Sequence, residues 1–219
     1  PLAARMDLWL QWEQDADVET DLQTPWGVKL LSGGPVYKDI GYYFYFYMDE
    51  RGEVAGVEDA YIHFNDIFGQ PLDIMVGQFQ TSDPLMKREL RLTYEDYEVY
   101  KTRVGDSRTN LTYDRGVMVP YTLEATGTDL VAMVVNGNGR VEAGEDHDFD
   151  DDEYKNFGAR LLQPIGEYGT VGGFGYWGKE RLAADLGTEA APNPVTAENE
   201  VTYYGVDLSF GYDGYVTFT

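Results

Sequence analysis

Along "ARMDLWLQWE", residues 4–13, side-chain character alternates with a period of two. Met6, Leu8, Leu10 and Trp12 fall on one side, and Arg5, Asp7, Trp9, Gln11 and Glu13 on the other. Only an extended strand puts alternate residues on opposite faces. "RGVMVPYTLE" repeats the pattern, with Val117, Val119, Tyr121 and Leu123 against Gly116, Met118, Pro120, Thr122 and Glu124. "FGARLLQPI" sets Phe157, Ala159, Leu161 and Ile165 opposite Arg160, with Gln163 interrupting the apolar side. "TYYGVDLSF" sets Tyr204, Val206, Leu208 and Phe210 opposite Tyr203, Gly205, Asp207 and Ser209. Such segments, bounded by Gly, Pro, Asn or Asp, predict about ten strands, near residues 2–13, 26–34, 40–49, 57–65, 72–80, 115–124, 129–136, 157–165, 170–179 and 201–210.

The connections between these strands alternate in length from the fourth strand onward. "DIFGQP", "EATGT" and "GEYG" are short and rich in turn residues. "TSDPLMKREL…TYD", "GNGRVEAGEDHDFDDDEYKN" and "ERLAADLGTEAAPNPVTAENE" are long and hydrophilic. Short turns on one side and long loops on the other describe an antiparallel up-and-down β-barrel that crosses a membrane with tilted strands. The fold class expected is therefore all-β, a single domain over residues 1–219. Tyr42, Tyr43, Tyr45, Tyr47, Trp9, Trp12, Tyr176, Trp177, Tyr203 and Tyr204 lie towards strand ends and are expected in interfacial girdles. A soluble antiparallel sandwich or barrel, for instance one that binds extracellular glycans through Trp and Tyr, shares the alternation, and the sequence does not say which face points outward.

Composition removes several classes of function. A formal charge of −23 offers no net basic face for phosphate backbones, which excludes nucleic acid as a partner. The absence of Cys excludes disulfides, thiolate metal sites, a Cys nucleophile and covalent c-type haem attachment. No apolar run is long enough for a transmembrane helix, which leaves barrels untouched. The chain opens without a signal-peptide pattern and stops just after "GYDG", so a piece of a longer protein is expected.

"VEDAYIHFNDIFGQPLDIMVGQFQTSDPLMKRELRLTYEDYEVYK", residues 57–101, is followed by "LTYDRGVMV" and "TDLVAMVVNGNG". Together these resemble the core of Gram-negative porins related to the phosphate-selective porin family, and the similarity extends over roughly residues 57–179. It implies the bacterial outer membrane, a barrel of sixteen or more strands, lipid and lipopolysaccharide as surroundings, and small ions or solutes as cargo. A homotrimer is common among large porins. The same style of barrel occurs, by resemblance, as the sheath of porin–cytochrome conduits, in which a separate multihaem cytochrome carries the electrons.

The resemblance also gives residues 81–114 a role, because in large porins the third long loop folds inward and narrows the lumen. Lys87, Arg88, Arg91, Lys101, Arg103, Arg108 and Arg115, with Arg160 and Arg5 on inward faces, would then form an anion-attracting constriction. Against this, seven acidic residues, Asp83 to Asp114, match the seven basic ones between residues 83 and 115. A salt-bridged helix and loop, or a mixed-charge eyelet of little selectivity, fits the same stretch.

"EAGEDHDFDDDE" holds eight acidic residues, among which Asp146, Asp148, Asp150 and Asp152 alternate and offer oxygens to Ca²⁺. The run lacks the Gly and terminal Glu of an EF-hand loop, and a solvated extracellular loop reads equally well. His63 and His147 are the only histidines, and no serine sits in a nucleophile-elbow context, so an enzyme is not expected. "VGGFGYWG" is followed by no helix, which makes it a curved strand relieved by Gly172, Gly173 and Gly175 and not a nucleotide loop.

Overall fold

The computed structural model describes residues 2–14, 20–82, 97–143, 148–150, 152–185, 194–212 and 216–218. Eleven strands form one sheet in strict sequence order, each antiparallel to the next. They are β1 (Leu2–Trp12), β2 (Thr20–Tyr37), β3 (Ile40–Glu50), β4 (Gly56–Phe64), β5 (Ile74–Gln80), β6 (Tyr113–Leu123), β7 (Thr128–Val135), β8 (Asn156–Ile165), β9 (Gly169–Asp185), β10 (Pro194–Tyr212) and β11 (Val216–Phe218). Among the described residues β1 and β11 are not paired with each other, so the sheet is open. Among the described residues the helical content is one turn, α1 (Glu98–Lys101), and a 3-10 turn at Ile67–Gly69.

Three strands, β2, β9 and β10, run well beyond the bounds the alternation predicts. "ERLAADLGTEAAPNPVTAENE" is too polar to read as strand, yet most of it extends β9 and β10 into a two-stranded ribbon. Polar cross-strand pairs hold that ribbon where apolar ones are absent. Lys179 sits opposite Glu200, with Nζ 3.1 Å from its carboxylate, and Asn199 donates to Glu180 Oε1 at 2.7 Å. In β2, Pro25 lies beside the register shift between Asp7 and Trp9 of β1, where a missing N–H breaks no regular ladder.

The two faces of the sheet differ sharply. Reading directly across the ladder, Tyr42, Ile62, Val76, Val117, Val134, Phe157 and Trp177 face one another in turn over seven strands. All seven are exposed, and Val76 and Trp177 keep 43% and 47% of their surface open. Six inter-strand steps of about 4.8 Å make this apolar row roughly 29 Å wide. Leu130, Leu161, Val206, Leu208 and Phe210 widen it above and below.

The opposite face is covered. Phe79, Met118, Met133, Val135, Phe174 and Tyr176 cluster there with Tyr100 and Leu111, which the β5–β6 connection lays across the sheet. Burying each of those two loop side chains contributes about 1.5–3 kcal/mol. Lys29, Arg160, Asp114 and Asn156 are buried on this same face. So are Tyr45, Tyr47 and Tyr176, which corrects their placement in an outer girdle. Period two sends Tyr45 and Tyr47 to the side away from Phe44 and Phe46, and there Lys29 Nζ lies 4.2 Å from the Tyr47 ring centroid.

Candidate functional site

The long connections β5–β6, β7–β8 and β9–β10 emerge at one end of the sheet, together with β1–β2 and the short β3–β4 link at residues 51–55, because consecutive strands reverse direction. The described part of the β5–β6 loop, residues 97–112, is tied to the covered face. Thr109 Oγ1 donates to the Gly137 carbonyl at 2.6 Å and accepts from Asn156 Nδ2 at 3.3 Å. The Tyr203 hydroxyl reaches the carbonyls of Thr102 and Thr109, each at 3.3 Å. The Arg108 backbone N–H donates to Glu180 Oε2 at 2.9 Å. These bonds connect the loop to β8, β9 and β10 at once.

The expected basic constriction is divided by this packing. Lys87, Arg88 and Arg91 lie outside the described residues, as does Asp146. Lys101 pairs with Glu98 one turn back at 2.9 Å. The Arg108 guanidinium donates to the Arg181 carbonyl at 3.2 Å and stands 4.0 Å from Asp152. Arg160 is 5% exposed and makes a two-pronged pair with Asp207, donating from Nη1 and Nη2 at 2.5 and 2.8 Å. That fork-to-carboxylate geometry neutralises it. A Cβ on Gly172 would come within 2.5 Å of Asp207 Oδ2 and 2.6 Å of Arg160 Nη2. Gly172 thus makes room for the ion pair, which is a more specific role than easing strand curvature.

Arg103 and Arg115 do come together, in a cavity of about 610 Å³ at the loop end. The third cation there is Arg140, which the charge pattern of residues 83–115 does not contain. Asn110, Thr112, Asn138 and Gln78 complete its polar lining, and among the described residues no carboxylate lines it. Arg115 stacks at 4.1 Å over the Phe149 ring and donates to the Val141 carbonyl at 2.9 Å. Arg140 lies 5.0 Å over Tyr113, with Nη1 3.7 Å from Glu58 Oε1. Aromatic faces behind planar guanidinium groups hold them in place without using their forks. The signal for Arg140 was its position directly after "VNGNG", where strand β7 ends and the loop turns back over the sheet.

A second cavity shares Ala55, Thr112 and Arg140 with the first but is mixed in charge. Arg51, Lys101 and Arg140 face Glu50, Glu53 and Glu58 around about 440 Å³. The loop end therefore combines a cationic hollow with a charge-balanced one in neighbouring spaces.

The described members of the alternating run, Asp148, Asp150 and Asp152, do not form a metal-holding group. Asp150 pairs with Lys155 at 2.5 Å, and Asp152 accepts from the Arg181 N–H at 2.8 Å. Among the described residues no group of three or more His, Cys, Asp or Glu has the geometry to hold a metal. Beside them the Tyr154 hydroxyl donates to Glu198 Oε1 at 2.7 Å, and that bond to a carboxylate pushes the phenol up to about 12. His63 Nε2 meets Asp73 Oδ2 at 3.1 Å near the short-turn end, far along the strand from the arginines.

Comparison of the chain with models of known families, with characterised proteins and with solved structures returns no match, so the functional reading rests on this geometry.

Proposed function

We propose that this chain forms part of the wall of an outer-membrane β-barrel channel, through which small hydrophilic solutes or ions diffuse with a preference for anions. The observation that carries the reading is the exposed apolar face of the sheet. Its continuous apolar row lies uncovered, while Lys29, Asp114, Asn156 and Arg160 are buried on the other face beside the apolar cluster. A sheet in water turns polar residues to its uncovered face, and apolar patches of this continuity on a water-exposed surface are rare. Strand length agrees: the ten residues of β8, at about 3.4 Å each and ~40° of tilt, span roughly 26 Å, close to the ~25 Å apolar band of outer-membrane barrels.

The anion preference draws on Arg103, Arg115 and Arg140, which give an otherwise acidic chain a cationic hollow among its long loops. Fixed positive charge in a confined space raises the local anion concentration. The chain is a conduit in this reading and performs no covalent chemistry.

The test is conductance of the purified full chain in a planar bilayer, with the reversal potential measured across a KCl gradient. Stable channels that favour chloride, and lose that preference in Arg115→Gln/Arg140→Gln, are expected. A chain that inserts and folds in bilayers yet passes no current would overturn the proposal.

A further inference from the structure

Half of the chain's six methionines stand side by side on the covered face. The ladder sets Met75 of β5 opposite Met118 of β6, and Met118 opposite Met133 of β7. On its other flank Met75 faces His63 of β4, so one cross-strand row reads His63, Met75, Met118, Met133. Directly opposed residues hold their Cβ atoms about 4.5–5.5 Å apart, within reach of side chains as long as Met. Met118 and Met133 are buried in the apolar cluster, and Met75 is half-buried against it.

Strand propensity does not account for this row. Strands favour β-branched and aromatic residues, and one residue away, on the outward face, the same three strands carry Val76, Val117 and Val134. What Met brings instead is a polarizable thioether on a flexible chain. Met133 has room to use that flexibility. Its Sδ lies over Gly158, where a Cβ would come within 2.9 Å of it, and its three rotatable bonds can turn the sulfur back towards Met118.

His63 supplies an independent clue. Its Nε2 meets Asp73 Oδ2 at 3.1 Å, while the Asp66 backbone N–H donates to Asp73 Oδ1 at 3.0 Å and steadies the carboxylate. An ionised carboxylate only accepts, so Nε2 carries the proton and Nδ1 the lone pair. A carboxylate behind one ring nitrogen is the arrangement that orients a metal-ligating imidazole. The His63 side chain is 30% exposed, which leaves this end of the row open to an entering ion.

We infer that His63, Met75, Met118 and Met133 bind a soft monovalent cation, copper(I), on the covered face. All four donors are neutral, and thioether sulfur with imidazole nitrogen is a set that copper(I) favours. Calcium and magnesium take oxygen ligands, and zinc takes thiolate, imidazole or carboxylate. The inference needs only the cross-strand row and does not depend on the membrane reading.

The experiment is anaerobic titration of the folded full chain with copper(I) in competition with bicinchoninate, a chromogenic copper(I) chelator. One equivalent held with a Kd of about 1 μM or tighter is expected, and excess Zn²⁺ should not displace it. X-ray absorption at the copper edge should show sulfur among the ligands, which in a chain without Cys comes from Met alone. Leu keeps the volume of Met and removes the sulfur, so Met118→Leu/Met133→Leu should fold and lose at least about tenfold in affinity. Met75→Leu, at a half-buried position, gives the same test with less demand on packing. Asp73→Asn should cost about tenfold through the orientation of His63. A folded chain that holds no copper(I), a copper site without sulfur, or affinity unchanged in the Leu variants would each overturn the inference. Copper(I) binding by a chain that conducts no ions would support the site and refute the channel alone.

Discussion

Replacing Leu161 with Arg asks the bilayer directly which way the sheet faces. Leu161 is 46% exposed on the apolar side of β8, next to Arg160, which is buried on the other side. It sits five residues from the loop end of the strand, Asn156, and four from the turn end, Ile165. At about 3.4 Å per residue and ~40° of tilt, five residues amount to roughly 13 Å of depth, close to the middle of a ~25 Å apolar band. An arginine facing lipid at that depth costs about 2–4 kcal/mol, whereas near the interface the cost falls to ~0–1 kcal/mol. Ile165→Arg, at the turn end of the same face, is the matched control. On a water-exposed surface both substitutions would change stability by less than about 0.5 kcal/mol. The assay is reversible denaturant unfolding of the full chain from lipid vesicles. Leu161→Arg should lower the unfolding free energy by about 3 kcal/mol, more than a hundredfold in the equilibrium constant, and Ile165→Arg by far less. Equal and negligible costs for the two variants would refute the assignment of this face to lipid.

Three other perturbations test the covered face and the loops. Asp207→Ala strands the Arg160 guanidinium, and with Asp207 itself one-third open the expected loss is about 2–3 kcal/mol, measured by the same unfolding assay. Gly172→Ala drives a methyl group into that pair, so its cost should overlap with that of Asp207→Ala; strict additivity in a double-mutant cycle would exclude the steric account. For Tyr154 the folded phenol is raised above its ordinary value near 10 by the bond to Glu198. Its contribution to stability is therefore full below pH ~10 and disappears as pH rises through about 12. An ultraviolet difference titration against Tyr154→Phe should show one late-ionising phenol lost in the variant.

Much of the architecture was legible because period two is a backbone property. Residues such as Val117 and Val119, or Leu161 and Phe157, declare a strand wherever it ends up, and the short turns fix antiparallel neighbours. The polar extensions of β9 and β10 were illegible for the converse reason. Glu198, Asn199 and Glu200 resemble loop residues until a partner strand brings Lys179 and Glu180 within reach. The basic loop depends on distant partners in the same way: Arg108 and Lys101 share a segment with Arg103, but their side chains are engaged by Arg181 and Glu98. Arg140 comes from a different loop, and proximity in the sequence could not join it to Arg115.

What the sequence by itself determined is the set of strands, their order and the existence of two chemically opposite faces. All of that follows from alternation and from connection length, which are local. Only the tertiary structure decided which face is covered, because that depends on where the β5–β6 loop places Tyr100 and Leu111 and on which side Asn156, Arg160 and Asp207 find partners. The same long-range packing assembled Arg103, Arg115 and Arg140 from two loops and a strand end. A strand's pattern is symmetric under exchange of its two sides, and contacts between residues far apart in the chain remove that symmetry.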